Sequence, residues 1–221
     1  MAAGGVVAVG DSAIHGGFTR LQFIPPQSWA QHLAEIGDWS FTRYARGGHT
    51  SAQVIDEQLP RVARDDYDVG ALSVGANDLQ FEWDPERFAA NMDAILTRLA
   101  EAADRVVVTT LPPTFRRLPG ADRRINQSVP TANDIIVRGA SEYGAQVVDL
   151  ADFTSRRWLR PDRAHPTALG SAEIGQRAAG ALGLDRAPAD ARHLGVAYSL
   201  RHVAGTAWHL AWLSAGRVRR R

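Results

Sequence analysis

Apolar and polar residues alternate along the chain in two patterns. Short apolar runs bounded by glycine, aspartate or proline predict buried strands, because a parallel sheet is covered on both faces. Segments in which apolar residues recur at helical spacing predict amphipathic helices, and the clearest contains Phe88, Met92, Ile95, Leu96 and Leu99. The predicted strands lie at residues 6–9, 41–45, 69–74, 105–110 and 146–150.

A helix is predicted after each of these strands. The helices begin near Ser28, at Thr50 or Ser51, within 82–85, at Ile125 with an interruption or start near Pro130, and at Thr167. Because parallel neighbouring strands need a crossover connection, the alternation predicts an α/β fold with a doubly wound parallel sheet.

The length and composition indicate one domain. The chain has 221 residues, of which 45% are hydrophobic, enough for one well-packed core and too few for two typical domains with a linker. We predict a domain over residues 1–183 and a tail over residues 184–221. The absence of cysteine excludes disulfides, thiol nucleophiles and Cys-ligated metals. No Walker loop, Gly-x-Gly-x-x-Gly turn or zinc-ligand cluster occurs, so neither a cofactor nor a metal is expected.

The segment before the first strand contains neither the charged nor the apolar region of a secretory signal. No later stretch holds about 18 consecutive uncharged apolar residues, so no membrane-spanning helix is expected. We therefore expect a cytoplasmic protein.

A serine and an Asp-x-x-His sequence are candidates for nucleophilic chemistry. Ser12 follows the first strand, at the edge of an open α/β sheet where ligands bind. Asp162 and His165 lie three residues apart in a loop after the fifth strand, so the carboxylate could orient the imidazole as a base for the serine. Pro166 suits the first turn of the next helix and places the histidine at its entrance. A helix N-cap is the alternative role for Ser12.

Two further strand ends carry candidate donors for an oxyanion. Gly47 and Gly48 follow the second strand, and Asn77 follows the third. A backbone N–H of a glycine and a side-chain amide can both donate hydrogen bonds to a negatively charged oxygen. Ordinary turn formation is the alternative for each loop taken alone. Four such loops at successive strand ends favour one shared site.

These four blocks resemble those of the SGNH, or GDSL-type, hydrolase family. They are Gly10-Asp11-Ser12-Ala13-Ile14-His15-Gly16, Gly47-Gly48-His49-Thr50-Ser51, Gly75-Ala76-Asn77-Asp78 and Asp162-Arg163-Ala164-His165-Pro166. The resemblance spans about residues 5 to 183. It departs from the family pattern at Ala13, where leucine is usual, and at Arg43, in place of a common asparagine.

The resemblance implies a three-layer α/β/α domain of flavodoxin-like type with a mostly five-stranded parallel sheet. It implies Ser12 as nucleophile, His165 as base and Asp162 as the acid that orients it. The implied oxyanion hole consists of the backbone N–H groups of Ser12 and Gly48 and the side chain of Asn77. The implied activity is hydrolysis of a small-molecule ester or thioester. A carbohydrate O-acetylesterase and a non-catalytic binding or membrane-associated module with the same fold are the alternatives.

Two segments outside these blocks carry positive charge. The stretch Thr114–Arg124 is predicted to be irregular and contains four arginines, so a lid or a grip on an anionic substrate is an alternative to a solvated loop. The tail has seven arginines against two aspartates, and its apolar residues, including Trp208 and Trp212, predict a helix. Packing on the domain or homodimer formation is favoured over peripheral contact with anionic lipid. No nucleic acid partner is expected.

Overall fold

Five parallel strands form one sheet in the computed structural model, which describes residues 4–16, 28–64, 66–115, 122–160 and 162–184. The strands are β1 Gly5–Gly10, β2 Ser40–Arg43, β3 Tyr67–Ser73, β4 Ala103–Thr109 and β5 Gln146–Val148. Their order in the sheet is β2-β1-β3-β4-β5, and every pairing is parallel. The predicted sheet is confirmed, with strand ends that differ by at most two residues.

Helices follow the strands along the chain. They are α1 Ser12–His15, α2 Trp29–Gly37, α3 Ser51–Gln53, α4 Ala76–Phe81, α5 Pro85–Ala100, α6 Asp122–Glu142 and α7 Ala168–Ala181. A π-helical turn, Val54–Gln58, and a 3₁₀ turn, Leu59–Arg61, continue α3 without a break. Ser28 caps α2 and Thr50 caps α3, each through a side-chain oxygen that accepts a backbone N–H.

The sheet lies between two layers of helices, as the three-layer prediction requires. Successive side chains of a strand point to opposite faces, so β1 contributes to both cores. Val7 and Val9 pack in the core formed with α5 and α6. Val6 and Ala8 pack in the other core, with α2 and α7. The apolar stripe of α5 is buried in the first core, which confirms the predicted amphipathic helix.

Two predictions about helices were wrong at particular residues. The helix α6 continues through Pro130, although proline removes one hydrogen bond and costs roughly 3 kcal/mol in a helix interior. Burial of Val129, Ala132 and Ile136 on one face offsets this cost, because that face closes the core against α5. The irregular segment predicted over Thr114–Arg124 also ends earlier than expected, since α6 begins at Asp122.

Two differences concern the loops at the site. Asn77 lies in the short helix α4 and not in a loop; six residues are too few for a clear helical period. Pro166 is not in the first turn of α7. It pairs with Leu159 in an isolated antiparallel bridge, and Thr167 caps the helix two residues after His165.

Several predictions lie outside the described residues. They are the central part of the arginine-containing stretch, residues 116–121, and the tail from residue 185 onward with its proposed packing, dimer and lipid contacts. Within the described ranges, no helix has the length and apolar character needed to cross a bilayer.

We expect Leu96→Ala to lower the free energy of unfolding by about 2–5 kcal/mol, because it leaves a cavity in a close-packed core. The side chain of Leu96 is fully buried. Leu169→Ala is the matched control, since the Leu169 side chain is 38% exposed and surface truncations usually stay within about 0.5 kcal/mol. Urea denaturation of both variants checks this, and equal losses would contradict the assigned core.

Candidate active site

The site is built at the point where β1 leaves the sheet. Gly10 has φ +130°, and a Cβ atom there would lie 2.0 Å from the carbonyl oxygen of Ser73, so only glycine fits. The N–H of Asp11 donates to that same carbonyl at 2.9 Å. This bond holds the turn against β3 and aims the next residue, Ser12, beyond the strand ends.

Ser12 is the first residue of the single-turn helix α1. The carboxylate of Asp11 caps this turn by accepting the N–H of Ala13 at 2.8 Å. Asp11 thus fixes the backbone on both sides of Ser12. The N-cap of this helix is Asp11 and not Ser12, so the alternative role proposed for the serine belongs to the residue before it.

Ser12, His165 and Asp162 form a connected set of side chains. Ser12 Oγ lies 2.8 Å from His165 Nε2, and His165 Nδ1 lies 2.5 Å from Asp162 Oδ2. All three residues are buried. An ionised carboxylate can only accept hydrogen bonds, so the proton is on Nδ1, and Nε2 has a lone pair to accept the serine hydroxyl. The structure therefore joins the three residues in the order that nucleophilic activation requires.

The loop that carries His165 is fixed by its own backbone. The second oxygen of Asp162 accepts the N–H groups of Ala164 and His165, at 3.1 and 3.2 Å. The N–H of Arg160 donates to the carbonyl of His165 at 2.9 Å, and Arg163 adopts a left-handed conformation with φ +54°. The segment from Asp162 to His165 is thus a tight turn. The Asp162 carboxylate holds the backbone of this turn with one oxygen and the His165 ring with the other.

Gly48 lies in a tight turn after β2. The N–H of His49 donates to the carbonyl of Arg46 at 3.4 Å, and Gly48 has φ +90°. A positive φ at the third residue is characteristic of a type II turn. The N–H of Arg46 donates to the carbonyl of Gly10 at 3.1 Å, which joins this turn to the end of β1.

Asn77 is connected to the same turn. Its side-chain Nδ2 donates to the backbone carbonyl of His49 at 2.9 Å, and the residue is buried. The four sequence blocks therefore meet at one edge of the sheet: Ser12 bonds to His165, while the turn that carries Gly48 bonds to both Gly10 and Asn77.

Asp78, next to Asn77, anchors the start of α3. Its carboxylate accepts the N–H of Ser51 at 3.0 Å and the Ser51 hydroxyl at 2.5 Å, while Asn91 donates to that hydroxyl at 2.9 Å. Burial raises the pKa of Asp78, and the hydrogen bonds from Ser51 oppose the shift. Asp78 links α4 to α3 and so fixes the helix on which Asn77 is placed.

The departure from the family pattern at Arg43 has a visible structural consequence. Arg43 Nη1 donates to the backbone carbonyl of His15 at 2.7 Å, which joins β2 to the end of α1. Burial lowers the pKa of Arg43. Burial, followed by the charge of Arg43, also lowers the pKa of His15. The arginine therefore supports the turn that carries Ser12 from the neighbouring strand.

Sequence reasoning missed Gln58, whose buried side chain contacts Gly10 and His49. A signal was present: Gln58 is four residues after the apolar Val54 and so shares its helical face, where a buried amide needs a hydrogen-bond partner. In the described part of the chain, no group of three or more His, Asp or Glu side chains is arranged to hold a metal ion.

A family model described as GDSL-like Lipase/Acylhydrolase family matches residues 8–172, about three quarters of the 221-residue chain. The chain belongs to this family. The lipases and acylhydrolases of this GDSL-type family are serine ester hydrolases, so this protein is a serine ester hydrolase. No curated protein sequence matches the chain.

Solved structures share the fold of this GDSL-type protein at low sequence identity. A phospholipase A1 from Streptomyces albidoflavus is 19% identical with a TM-score of 0.60, covering 82% of this chain and 99% of its own. An acetyl xylan esterase from Geobacillus stearothermophilus is 14% identical with a TM-score of 0.59, covering 86% of this chain and 100% of its own. An alpha/beta hydrolase from the metagenome of Lake Arreo, Spain, is 18% identical with a TM-score of 0.60, covering 85% and 99%.

We expect Gly48→Ala to lower the free energy of unfolding by about 1–2 kcal/mol, because an alanine is strained in the left-handed region. A Cβ at Gly48 meets no atom within 4 Å, so strain is the only cost. Gly180→Ala is the matched control: a Cβ there also meets nothing within 4 Å, but Gly180 lies in α7. That variant should gain up to about 1 kcal/mol. Chemical denaturation measures both, and changes of the same sign would contradict the assigned turn.

Proposed function

We propose that this GDSL-type hydrolase cleaves carboxylic esters through an acyl-enzyme on Ser12. The observation that carries the proposal is the continuous chain from Ser12 Oγ to His165 Nε2, at 2.8 Å, and from His165 Nδ1 to Asp162 Oδ2, at 2.5 Å. A serine hydroxyl is a weak nucleophile unless a neighbouring base accepts its proton. A base in contact with the hydroxyl and oriented by a buried carboxylate meets that need.

In the first step, Ser12 Oγ attacks the ester carbonyl while its proton moves to His165 Nε2. Asp162 stabilises the imidazolium and keeps the ring in place. The tetrahedral intermediate collapses, the bond to the alcohol oxygen breaks, and His165 returns the proton to the leaving alcohol. The acyl group is then esterified to Ser12.

In the second step, water hydrolyses the acyl-enzyme. His165 accepts a proton from the water as it attacks the acyl carbonyl, and it returns that proton to Ser12 Oγ when the bond to the serine breaks. The carboxylic acid leaves, and the enzyme is restored with no cofactor used.

Both steps place negative charge on the carbonyl oxygen. We propose that the N–H groups of Ser12 and Gly48 and the side-chain amide of Asn77 bind this oxyanion. The hydrogen bond from Asn77 to the His49 carbonyl supports this grouping, because it places the amide beside the turn that contains Gly48. Donors fixed before the reaction stabilise the charge without a cost of reorganisation.

The intact triad geometry favours hydrolysis over a non-catalytic binding module with the same fold. Carbohydrate O-acetyl groups and longer acyl chains are both substrates that this chemistry could cleave. The solved structures of the same fold include a protein named for each kind, an acetyl xylan esterase and a phospholipase A1. The choice between them depends on the pocket around the acyl group.

The proposal predicts hydrolysis of p-nitrophenyl acetate, butyrate or octanoate by the wild-type protein and not by Ser12→Ala. Removal of the nucleophile should lower kcat by several orders of magnitude and leave the thermal midpoint close to that of wild type, since only one hydroxyl is lost. A parallel assay with acetylated xylo-oligosaccharides separates acetylesterase activity from cleavage of longer chains. Equal rates for wild type and Ser12→Ala on every ester would contradict the proposal.

Asn77→Ala should lower kcat by about 10² to 10³-fold with a smaller change in KM, because an oxyanion donor acts in the transition state. The matched control is Asn133→Ala, since Asn133 also uses its side-chain amide to hold a backbone segment, with Leu111 N–H and C=O at 2.8 and 3.0 Å. The control should lose stability and keep kcat. Similar kcat values for the two variants would remove Asn77 from the oxyanion hole.

A further inference from the structure

Gln58 is a buried polar residue that the triad chemistry does not use. Its side chain is almost completely excluded from solvent, at 1% exposure, and it ends the π-helical turn Val54–Gln58. A buried amide needs hydrogen-bond partners, and π-helical turns inside helices often occur at functional sites. Its partners lie in two of the loops that form the site.

The side chain of Gln58 pairs with the backbone of Gly10 as a neighbouring strand would. Gly10 N–H donates to Gln58 Oε1 at 2.8 Å, and Gln58 Nε2 donates to the Gly10 carbonyl at 2.9 Å. The orientation of the amide is therefore determined. In the reverse orientation, Nε2 would face the Gly10 N–H, donor against donor, and Oε1 would face the Gly10 carbonyl, acceptor against acceptor. Gly10 is two residues before Ser12.

The same amide reaches the turn that carries Gly48. Gln58 Nε2 donates a second hydrogen bond to His49 Nδ1 at 3.1 Å. Since Nε2 of a glutamine is a donor only, His49 Nδ1 accepts, and the proton of a neutral ring is on Nε2, 3.7 Å from a carboxylate oxygen of Glu57. The Gly10 carbonyl also accepts the N–H of Arg46, the first residue of the turn.

One side chain thus connects both ends of the turn that contains Gly48 to the segment before Ser12. Arg46 is reached through the shared Gly10 carbonyl and His49 through its ring. The His49 carbonyl in turn accepts the amide of Asn77. All three groups assigned to the oxyanion hole are therefore connected, through at most two hydrogen bonds each, to the Gln58 amide.

We propose that Gln58 is a positioning residue that sets the separation between the backbone N–H groups of Ser12 and Gly48. The inference rests on the proposed function, because it concerns the geometry of that oxyanion hole. Two donors on different loops bind one oxygen only when the loops are held at a fixed distance. A displacement of about 1 Å can lower a rate on the order of 100-fold.

The test compares Gln58→Leu with Val62→Ala in the full chain. Leucine has a similar volume and removes all the hydrogen bonds of the amide. Val62 packs in the core beside the same helical segment, and its side chain has no hydrogen-bonding group, so Val62→Ala measures the effect of lost stability alone. The assays are kcat and KM on the best p-nitrophenyl ester, the rate of Ser12 modification by a fluorophosphonate, the thermal midpoint, and hydrogen exchange at Gly10.

We expect Gln58→Leu to lower kcat and the modification rate by roughly 10- to 100-fold with a smaller change in KM. Exchange at the Gly10 amide should become faster, because its acceptor is lost. Val62→Ala should lower the thermal midpoint and leave kcat close to wild type. A kcat in Gln58→Leu equal to that of wild type would overturn the proposal. A loss of kcat in Val62→Ala as large as that in Gln58→Leu would also overturn it, because lost stability alone would then explain the effect.

Two substitutions of His49 test the hydrogen bond between Gln58 Nε2 and the His49 ring, one that removes the acceptor and one that restores it. His49→Leu removes the acceptor for Gln58 Nε2 and should lower kcat, whereas an asparagine oxygen at that position can accept the same hydrogen bond, so His49→Asn should recover part of the loss. Equal losses in both variants would contradict the link through the ring.

Failure of the positioning role and failure of the proposed function give different results. If wild type hydrolyses no ester and Ser12 is not modified, the proposed function fails, and faster exchange at Gly10 in Gln58→Leu still reports whether the amide holds this segment. If wild type is active and Gln58→Leu keeps both its kcat and its exchange protection, only the positioning role fails.

Discussion

The hydrogen bonding around Gly10 is the constraint on which the geometry of the site depends. At this residue the chain leaves the sheet with a positive φ and close contact to the Ser73 carbonyl, a position that only glycine can occupy. Its N–H and carbonyl are both held by Gln58, and the carbonyl also accepts Arg46. Because Ser12 follows two residues later, these backbone bonds fix the position from which its hydroxyl reaches His165 Nε2.

The order of the strands brings the remaining parts of the site to this point. In the order β2-β1-β3-β4-β5, the connection from β1 to β2 packs in the layer of α2, and the connection from β3 to β4 packs in the opposite layer, with α5. The winding therefore reverses between β1 and β3. Open α/β sheets bind ligands in the crevice at such a switch point. Ser12 follows β1, Gly48 follows β2 and Asn77 follows β3. His165 comes from the loop between β5 and α7 and completes the set through its bond to Ser12.

Most of the fold and the positions of the site residues could be predicted from the sequence, because β1, β3 and β4 contain buried apolar runs and each site residue follows a strand. The strand β2 has no such run, and the glycine pair after it was the clearer signal. Two features limited the rest. The six residues of α4 make less than two helical turns, too few to show a repeated period, and the Pro130 signal was outweighed by the buried face of α6. Gln58 was missed for a different reason. Its role depends on the π-helical turn that aims it at Gly10, and a helix pattern does not show where such a turn occurs.

If Ser12 is an activated nucleophile, a reagent specific for such serines must modify it covalently. We would treat the wild-type protein with a fluorophosphonate and locate the adduct by peptide mass spectrometry. We expect one phosphonyl group per chain, on Ser12, with no labelling in His165→Ala at the same reagent concentration. An unmodified Ser12, or equal labelling of several serines, would contradict it.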